Sequence, residues 1–184
     1  MRRIADWRRF LVAAVAVLTV ATVRADVSAV SDAGFVSEHT VILAAPPAEA
    51  YQALTAQISQ WWDAAHSYSG KAENFSLDAT AGGCFCEQLP GGGSVMHMMV
   101  VYADPGVLLR LVGGLGPLQG MGVSGSMDFA LEPNPASADG SSTLLQYRYV
   151  VHGYVPGGME AFASAVDQVQ LGQLLRLQAY LAND

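Results

Sequence analysis

Four residues around one hairpin carry most of the chemistry open to this sequence: Cys84, Cys86, Glu87 and His97. Cys84 and Cys86 are the only cysteines. Residues two apart in a strand share a face, with α-carbons about 6.5 Å apart, near the upper limit for a disulfide. A Cys84–Cys86 bridge therefore needs a pinched strand, and an oxidising compartment would favour it. Two reduced thiols are the alternative. If the turn is Pro90 to Gly93, Cys86 lies opposite His97 on the same face as Cys84. Cys84, Cys86 and His97 could then supply three metal ligands, with His66 or His152 as a fourth. If the turn is one residue shorter, Glu87 faces His97 instead and the triplet dissolves. The spacing matches no known zinc pattern, so no metal and no other cofactor is expected.

Glu87 shares parity with Phe85, which aims it at an apolar interior. Burial there would raise its pKa and make it an acid–base group, with His39, Tyr147 and Tyr149 able to orient a carbonyl. The competing reading is a solvated glutamate, or one paired with Arg110 or Arg148. The sequence contains no G-x-S-x-G elbow, P-loop or dinucleotide fingerprint.

The elements that would position these groups follow from periodicity. Phe35 to Ala44 alternates as a strand, with Ser37, His39, Val41 and Leu43 on one face. Pro47 fits the first turn of a helix over Ala48 to Ala56, and Ile58 to Asp63 continues as a second short helix. Short alternating segments then succeed one another at glycine- and proline-rich turns: Glu73 to Ala79, Cys84 to Leu89, Ser94 to Tyr102, Val107 to Val112, Ser126 to Glu132 and Thr143 to Gly153. Consecutive strands with short turns imply an antiparallel sheet, and helices gathered at the ends of the order make the chain α+β. Pro156 to Ala182 places Met159, Phe162, Val166, Val169, Leu174, Leu177 and Leu181 at helical spacing, with Glu160, Ser164, Asp167, Gln168 and Arg176 largely elsewhere. That helix, about 35–40 Å long, is the one cover available for the sheet.

Arg2, Arg3, Arg8 and Arg9 precede the uncharged run Phe10 to Val23, followed by Arg24 and Ala25. This is the layout of a secretory signal peptide over 1–25, an uncleaved anchor being the alternative. A periplasmic or secreted location follows, with membrane contact only during export. Cleavage after Ala25 removes five of nine basic residues and one of sixteen acidic ones, leaving four against fifteen, a net charge of −11. Lys71, Arg110, Arg148 and Arg176 cannot neutralise a phosphate backbone, which excludes nucleic acid and electrostatic docking on anionic lipid. Residues 26–34 read as a flexible leader and 35–184 as one domain.

The strand-then-Ala45-Pro46-Pro47-Ala48-Glu49-Ala50-Tyr51-Gln52-Ala53-Leu54 entry, the Trp61-Trp62 pair and the Gly82-Gly83-Cys84-Phe85-Cys86-Glu87 turn-strand resemble the START/Bet v 1-like (SRPBCC) superfamily. The similarity covers Val36 to Leu181 and is nearest the branches of heat-shock ATPase activators and polyketide cyclases. It implies a helix-grip fold: a curved antiparallel sheet of about six to seven strands wrapped on a long C-terminal helix, two short helices after the first strand, and a hydrophobic cavity. Export departs from the co-chaperone branch, and the cysteines do not form the hydroxylase branch's iron–sulfur motif.

Within that fold, Phe75, Phe85, Met127, Phe129, Tyr147 and Tyr149, with Met98, should face the helix residues Met159, Phe162 and Val166. These lines of apolar side chains could hold a lipid, isoprenoid or aromatic ligand or simply fill a core. Trp61, Trp62 and Tyr68 are expected near the cavity mouth, with one tryptophan of the adjacent pair directed outward. Gly113 to Gly125, carrying Leu115, Leu118 and Met121, reads as a lid or a bend. The expectation is an exported binder of a small hydrophobic ligand that does no catalysis. A cyclase-like or isomerase-like enzyme using Glu87, and a module binding another exported protein through Trp61 and Trp62, are the alternatives.

Overall fold

A computed structural model describes residues 27–137 and 139–183. The proposed signal peptide lies outside the described residues. Eight strands form one antiparallel sheet: β1 Val27–Ser31, β2 Gly34–Leu43, β3 Phe75–Leu77, β4 Cys84–Gln88, β5 Ser94–Asp104, β6 Leu108–Val112, β7 Ser124–Pro133 and β8 Thr143–His152. Their order is β1-β2-β8-β7-β6-β5-β4-β3, so the chain runs by hairpins from one edge and its last strand closes against β2. Among the described residues four α-helices accompany the sheet: α1 Pro47–Ala56, α2 Ile58–Trp61, α3 Pro117–Gly120 and α4 Glu160–Ala182. This is the helix-grip arrangement, with one strand more than the alternation of the sequence implied. The addition is β1: Val27 to Ser31, expected within a mobile leader, pairs with Gly34 to Ser37 as the edge strand.

Strand alternation decides which face is buried. On β2, Phe35, Ser37, His39, Val41 and Leu43 point inward; on β8, Leu145, Tyr147, Tyr149 and Val151 do the same. The helix α4 begins at Glu160, not Pro156, because Gly157 and Gly158 both adopt positive φ (90° and 84°) and cannot continue a right-handed helix.

The buried seam of α4 departs from its apolar stripe. Ala163, Asp167, Gln170, Leu174, Leu177 and Leu181 are buried, at alternating spacings of four and three. Asp167, expected on the solvent side, is thus on the core line. It is held there because Ser37 Oγ donates to Asp167 Oδ1 at 2.6 Å and His39 Nε2 sits 2.9 Å from the same oxygen. Seating the helix on this polar contact turns Phe162, Val166 and Val169 aside, toward the far half of the sheet. Further along, Gln173 Oε1 accepts from the Asp63 N–H at 2.9 Å, Arg176 Nε donates to the Trp61 carbonyl at 2.8 Å and Gln178 Nε2 to the Ile42 carbonyl at 2.8 Å. The docking of α4 is specified by polar groups as much as by area.

Candidate functional site

Where Phe162, Val166 and Val169 leave the seam, a cavity of about 380 Å³ opens between α4, the loop after α2 and the segment around α3. Trp62, Tyr68 and Phe75 line it on one side, and Leu115, Leu118 and Met121 on another. Gln170 borders it from the helix and His97 from the sheet. Its walls are mainly apolar, the other polar groups being the exposed His66 and the half-buried Ser67.

His97 reaches this position through an irregularity in β5. Gln88 pairs with Ser94, Glu87 with Val95 and Cys86 with Met96, but Phe85 pairs with Met98. The extra residue between the two registers is His97, and His97 and Met98 are consecutively buried where a regular strand would alternate. Neither expected register holds, since His97 stands directly opposite neither Cys86 nor Glu87. From the bulge its ring reaches diagonally to Glu87, with Nε2 3.0 Å from Oε2.

Glu87 is fully buried. Its Oε1 accepts from the Ser69 N–H at 2.6 Å and its Oε2 from the Tyr68 N–H at 3.1 Å. Burial pushes its pKa up, but hydrogen bonds from Ser69, from the Tyr68 backbone and from His97 outweigh that and leave it below the ordinary carboxylate value. The expectation of a raised pKa is therefore corrected: apolar walls are present, yet the loop's N–H groups favour the anion. Nor does Glu87 pair with an arginine; Arg110 binds Asp128 and Arg148 binds Glu38. For His97, burial lowers the pKa and Glu87 only partly restores it, so the ring is neutral near pH 7. An ionised carboxylate can only accept, so Nε2 carries the proton. Nδ1 is then a bare acceptor, buried and without a partner among the described residues. The Tyr68 ring stacks on the imidazole, centroids 5.8 Å apart and planes 13° from parallel.

The cysteines are withdrawn from any ligand set. Cys84 and Cys86 are bonded to each other, with α-carbons 5.4 Å apart, in the strand facing the bulge. Among the described residues no group of three His, Cys, Asp or Glu side chains is placed to hold a metal. His152 is exposed at the end of β8.

Of the apolar residues expected at the ligand, Trp62, Tyr68, Phe75, Met121, Phe162 and Val166 line the cavity. Phe85, Met98, Met127, Phe129, Tyr147, Tyr149 and Met159 instead fill the core. They point inward as anticipated, but the cavity occupies one end of the interior only. Phe129 packs on Tyr147, and the buried Tyr147 hydroxyl has no partner among the described residues. Tyr149 holds the glycine-rich segment: its hydroxyl donates to the Gly113 carbonyl and accepts from the Leu115 N–H, each at 3.2 Å. Gln119 Nε2 adds a bond to the Met96 carbonyl at 2.7 Å. The segment thus caps the cavity as a pinned turn.

Both tryptophans are buried, against the expectation that one faces outward. The chain leaves α2 at Trp62, whose extended backbone (φ −60°, ψ 140°) redirects its side chain inward beside Trp61. Trp61 Nε1 donates to the Ala53 carbonyl at 2.9 Å and Trp62 Nε1 to the His66 carbonyl at 3.1 Å. Trp61 borders only a shallow surface recess with Arg176 and Tyr180, away from the cavity. Among the described residues no tryptophan is exposed.

The arrangement of sheet and terminal helix is shared with known structures. DynU16, from the dynemicin biosynthetic locus, aligns over 80% of this chain at 18% identity with a TM-score of 0.54. This chain spans about half of DynU16, 47% of its length. Protein CV1439 from Chromobacterium violaceum aligns over 81% of this chain and 98% of its own at 17% identity, TM-score 0.54. Ara h 8.0201, a Bet v 1 protein, matches over 81% and 98% at 13% identity, TM-score 0.53. The fold is a Bet v 1-like helix grip. At these identities the likeness establishes the fold alone. No protein-family model matches the chain, and no curated protein matches it.

Gln170 and Val169 at the helix wall, and Leu118 in the cap, belong to the cavity although the sequence did not mark them as ligand contacts. The four-and-three spacing of Ala163, Asp167, Gln170, Leu174, Leu177 and Leu181 was the available signal, hidden because two of its members are polar.

Proposed function

We propose that this is an exported protein that binds a small, mainly apolar molecule non-covalently between the sheet and α4. The observation that supports it is the cavity of about 380 Å³, whose walls are contributed by Trp62, Phe75, Leu118, Phe162 and Val166. Its size lies at the small end of the range for ligand sites, and its walls are apolar with a few convergent polar groups, as such sites require. Buried tryptophan in the wall gives a direct reporter. Native mass spectrometry of the purified protein should show retained small-molecule mass, and added aromatics or isoprenoids should quench Trp62 saturably. A protein that carries no such mass and whose emission responds to none of these compounds is not a carrier.

The buried Glu87–His97 pair favours a second reading, an enzyme of polyketide-cyclase type, and the likeness to a protein of a biosynthetic locus bears on it. In that reading the neutral His97 is the base and the anionic Glu87 holds its tautomer. Turnover would then fall on Glu87→Gln while binding persisted.

A further inference from the structure

We propose that the outer face of the sheet carries a site for a soft cation, Cu(I), formed by Cys84, Cys86, Met96 and Met99 once the Cys84–Cys86 bond is reduced. The site lies on the face of the sheet away from the cavity, and it stands or falls independently of the ligand-binding reading.

The bulge at His97 builds it. In a regular strand, residues 96 and 99 would point to opposite faces. The extra residue in β5 takes His97 and Met98 inward and leaves both Met96 and Met99 outward, 52% and 39% exposed. Cys86 pairs directly with Met96 and Cys84 with Met99, and both cysteines are half-buried on that same face. Residues directly opposite one another hold their β-carbons about 4.5–5.5 Å apart. Elsewhere among the described residues, Met98, Met127 and Met159 are in the core and Met121 lines the cavity. The chain's two cysteines therefore stand beside the only two methionines exposed among the described residues. One exposed methionine is ordinary; two facing the two cysteines make a cluster of four sulphurs.

Sulphur chemistry selects the ion. The cysteine α-carbons are 5.4 Å apart, so both thiols can meet one ion, and methionine's rotatable side chain lets each thioether swing to it. Thiolate and thioether ligands select Cu(I), whereas zinc takes Cys, His and carboxylate. Among the described residues no His, Asp or Glu side chain joins the two cysteines in a group of three that could hold a metal. Glu87 and His97 are buried on the other face. The set Cys84, Cys86 and His97 thus gives way to one in which two methionines replace the histidine, and the same bulge accounts for both changes.

The bond gates the site. While it is intact, neither cysteine sulphur is a thiolate. A dithiol reductant breaks it: two electrons and two protons pass to Cys84 and Cys86, and the reductant becomes a disulfide. Cu(I) then displaces the thiol protons to solvent without changing its own oxidation state.

The test uses the purified protein, reduced with dithiothreitol, freed of it anaerobically, and titrated into the coloured Cu(I)–bicinchoninate complex. The reduced protein should withdraw one Cu(I) per chain and the disulfide form none. X-ray absorption at the copper edge should show sulphur neighbours alone. Met96→Leu, Met99→Leu keeps both cysteines and the side-chain volume, and circular dichroism checks its fold. It should bind Cu(I) at least about tenfold more weakly, the scale on which changes around a metal move its affinity. Failure of the reduced wild-type protein to take up Cu(I) would overturn the proposal with no variant needed. So would equal uptake by the disulfide form, unchanged affinity in the folded double variant, or displacement of the copper by equimolar Zn(II).

Discussion

Replacing Asp167 tests whether a polar seam orients α4. Its carboxylate oxygen is 2.6 Å from Ser37 Oγ and 2.9 Å from His39 Nε2, and all three side chains are buried. Hydrogen bonds to a charged group contribute about 1.5–3 kcal/mol each, but desolvating the carboxylate offsets much of that. The cost of Asp167→Ala lies elsewhere: it removes the acceptor shared by His39 and Ser37, leaving them only their mutual contact at 3.3 Å under the helix. Leaving a buried donor unsatisfied costs about 1–3 kcal/mol. Asp167→Asn keeps an acceptor and the side-chain volume, so about 1–2 kcal/mol is expected from the weaker neutral bonds. Urea unfolding followed by tryptophan emission measures both, with an unchanged slope confirming that the unfolded state is the same. A Ser37→Ala, Asp167→Ala double-mutant cycle should give a coupling of about 0.5–3 kcal/mol. Loss of less than about 1 kcal/mol in Asp167→Ala would refute the seam as the determinant of helix placement.

Two further outcomes follow from the same geometry. Reducing the Cys84–Cys86 bond, which closes a very short loop, should lower stability by about 1–2 kcal/mol on chain-entropy grounds. A urea series with and without reductant reads this, and a loss far above that range would mean the bond does more than constrain the unfolded chain. Acid should destabilise the protein through both members of the buried pair. His97 has a folded pKa below its ordinary 6.5, so its neutral form favours folding and this contribution declines as pH falls below that value. Glu87 has a folded pKa below its ordinary 4.5; its contribution is complete above 4.5 and is lost as pH drops through the folded value. Stability measured from pH 7 to 4 should therefore fall less steeply in a Glu87→Gln, His97→Gln protein than in the wild type.

The strands were legible because half-buried antiparallel segments alternate, and β2 and β8 do so over ten residues each and β7 over most of its length. Pro47 marked the start of α1 for a reason local to its own ring. What could not be read has a common cause: a single residue changed parity. The bulge at His97 shifts β5 by one position, which converts a guess about Cys86 or Glu87 facing His97 into a diagonal contact. The helix α2 ends at Trp61, two residues before the expected Asp63, and the extended backbone of Trp62 lets both indoles be buried. On α4 the apolar Phe162, Val166 and Val169 face the cavity, while the packed seam includes the polar Asp167, and Gln170 is both buried and at the cavity's edge. Hydrophobic periodicity finds the face that avoids water; it does not tell which part of that face meets protein and which meets an empty volume. Glu87 was found by its parity with Phe85, but the sign of its pKa shift depended on the N–H groups of Tyr68 and Ser69, eighteen or more residues away.

The central claim is that the space under α4 receives a ligand, and blocking that space tests it most directly. Val166→Trp places an indole where Phe162, Val166 and Val169 face the cavity, on the flank of α4 away from Asp167. Calorimetric titration with 2-methoxynaphthalene should give saturable one-to-one binding in the wild type and at least tenfold weaker binding in Val166→Trp, with the fold intact by circular dichroism. Unchanged affinity in the blocked protein, or no saturable binding in either, would contradict it.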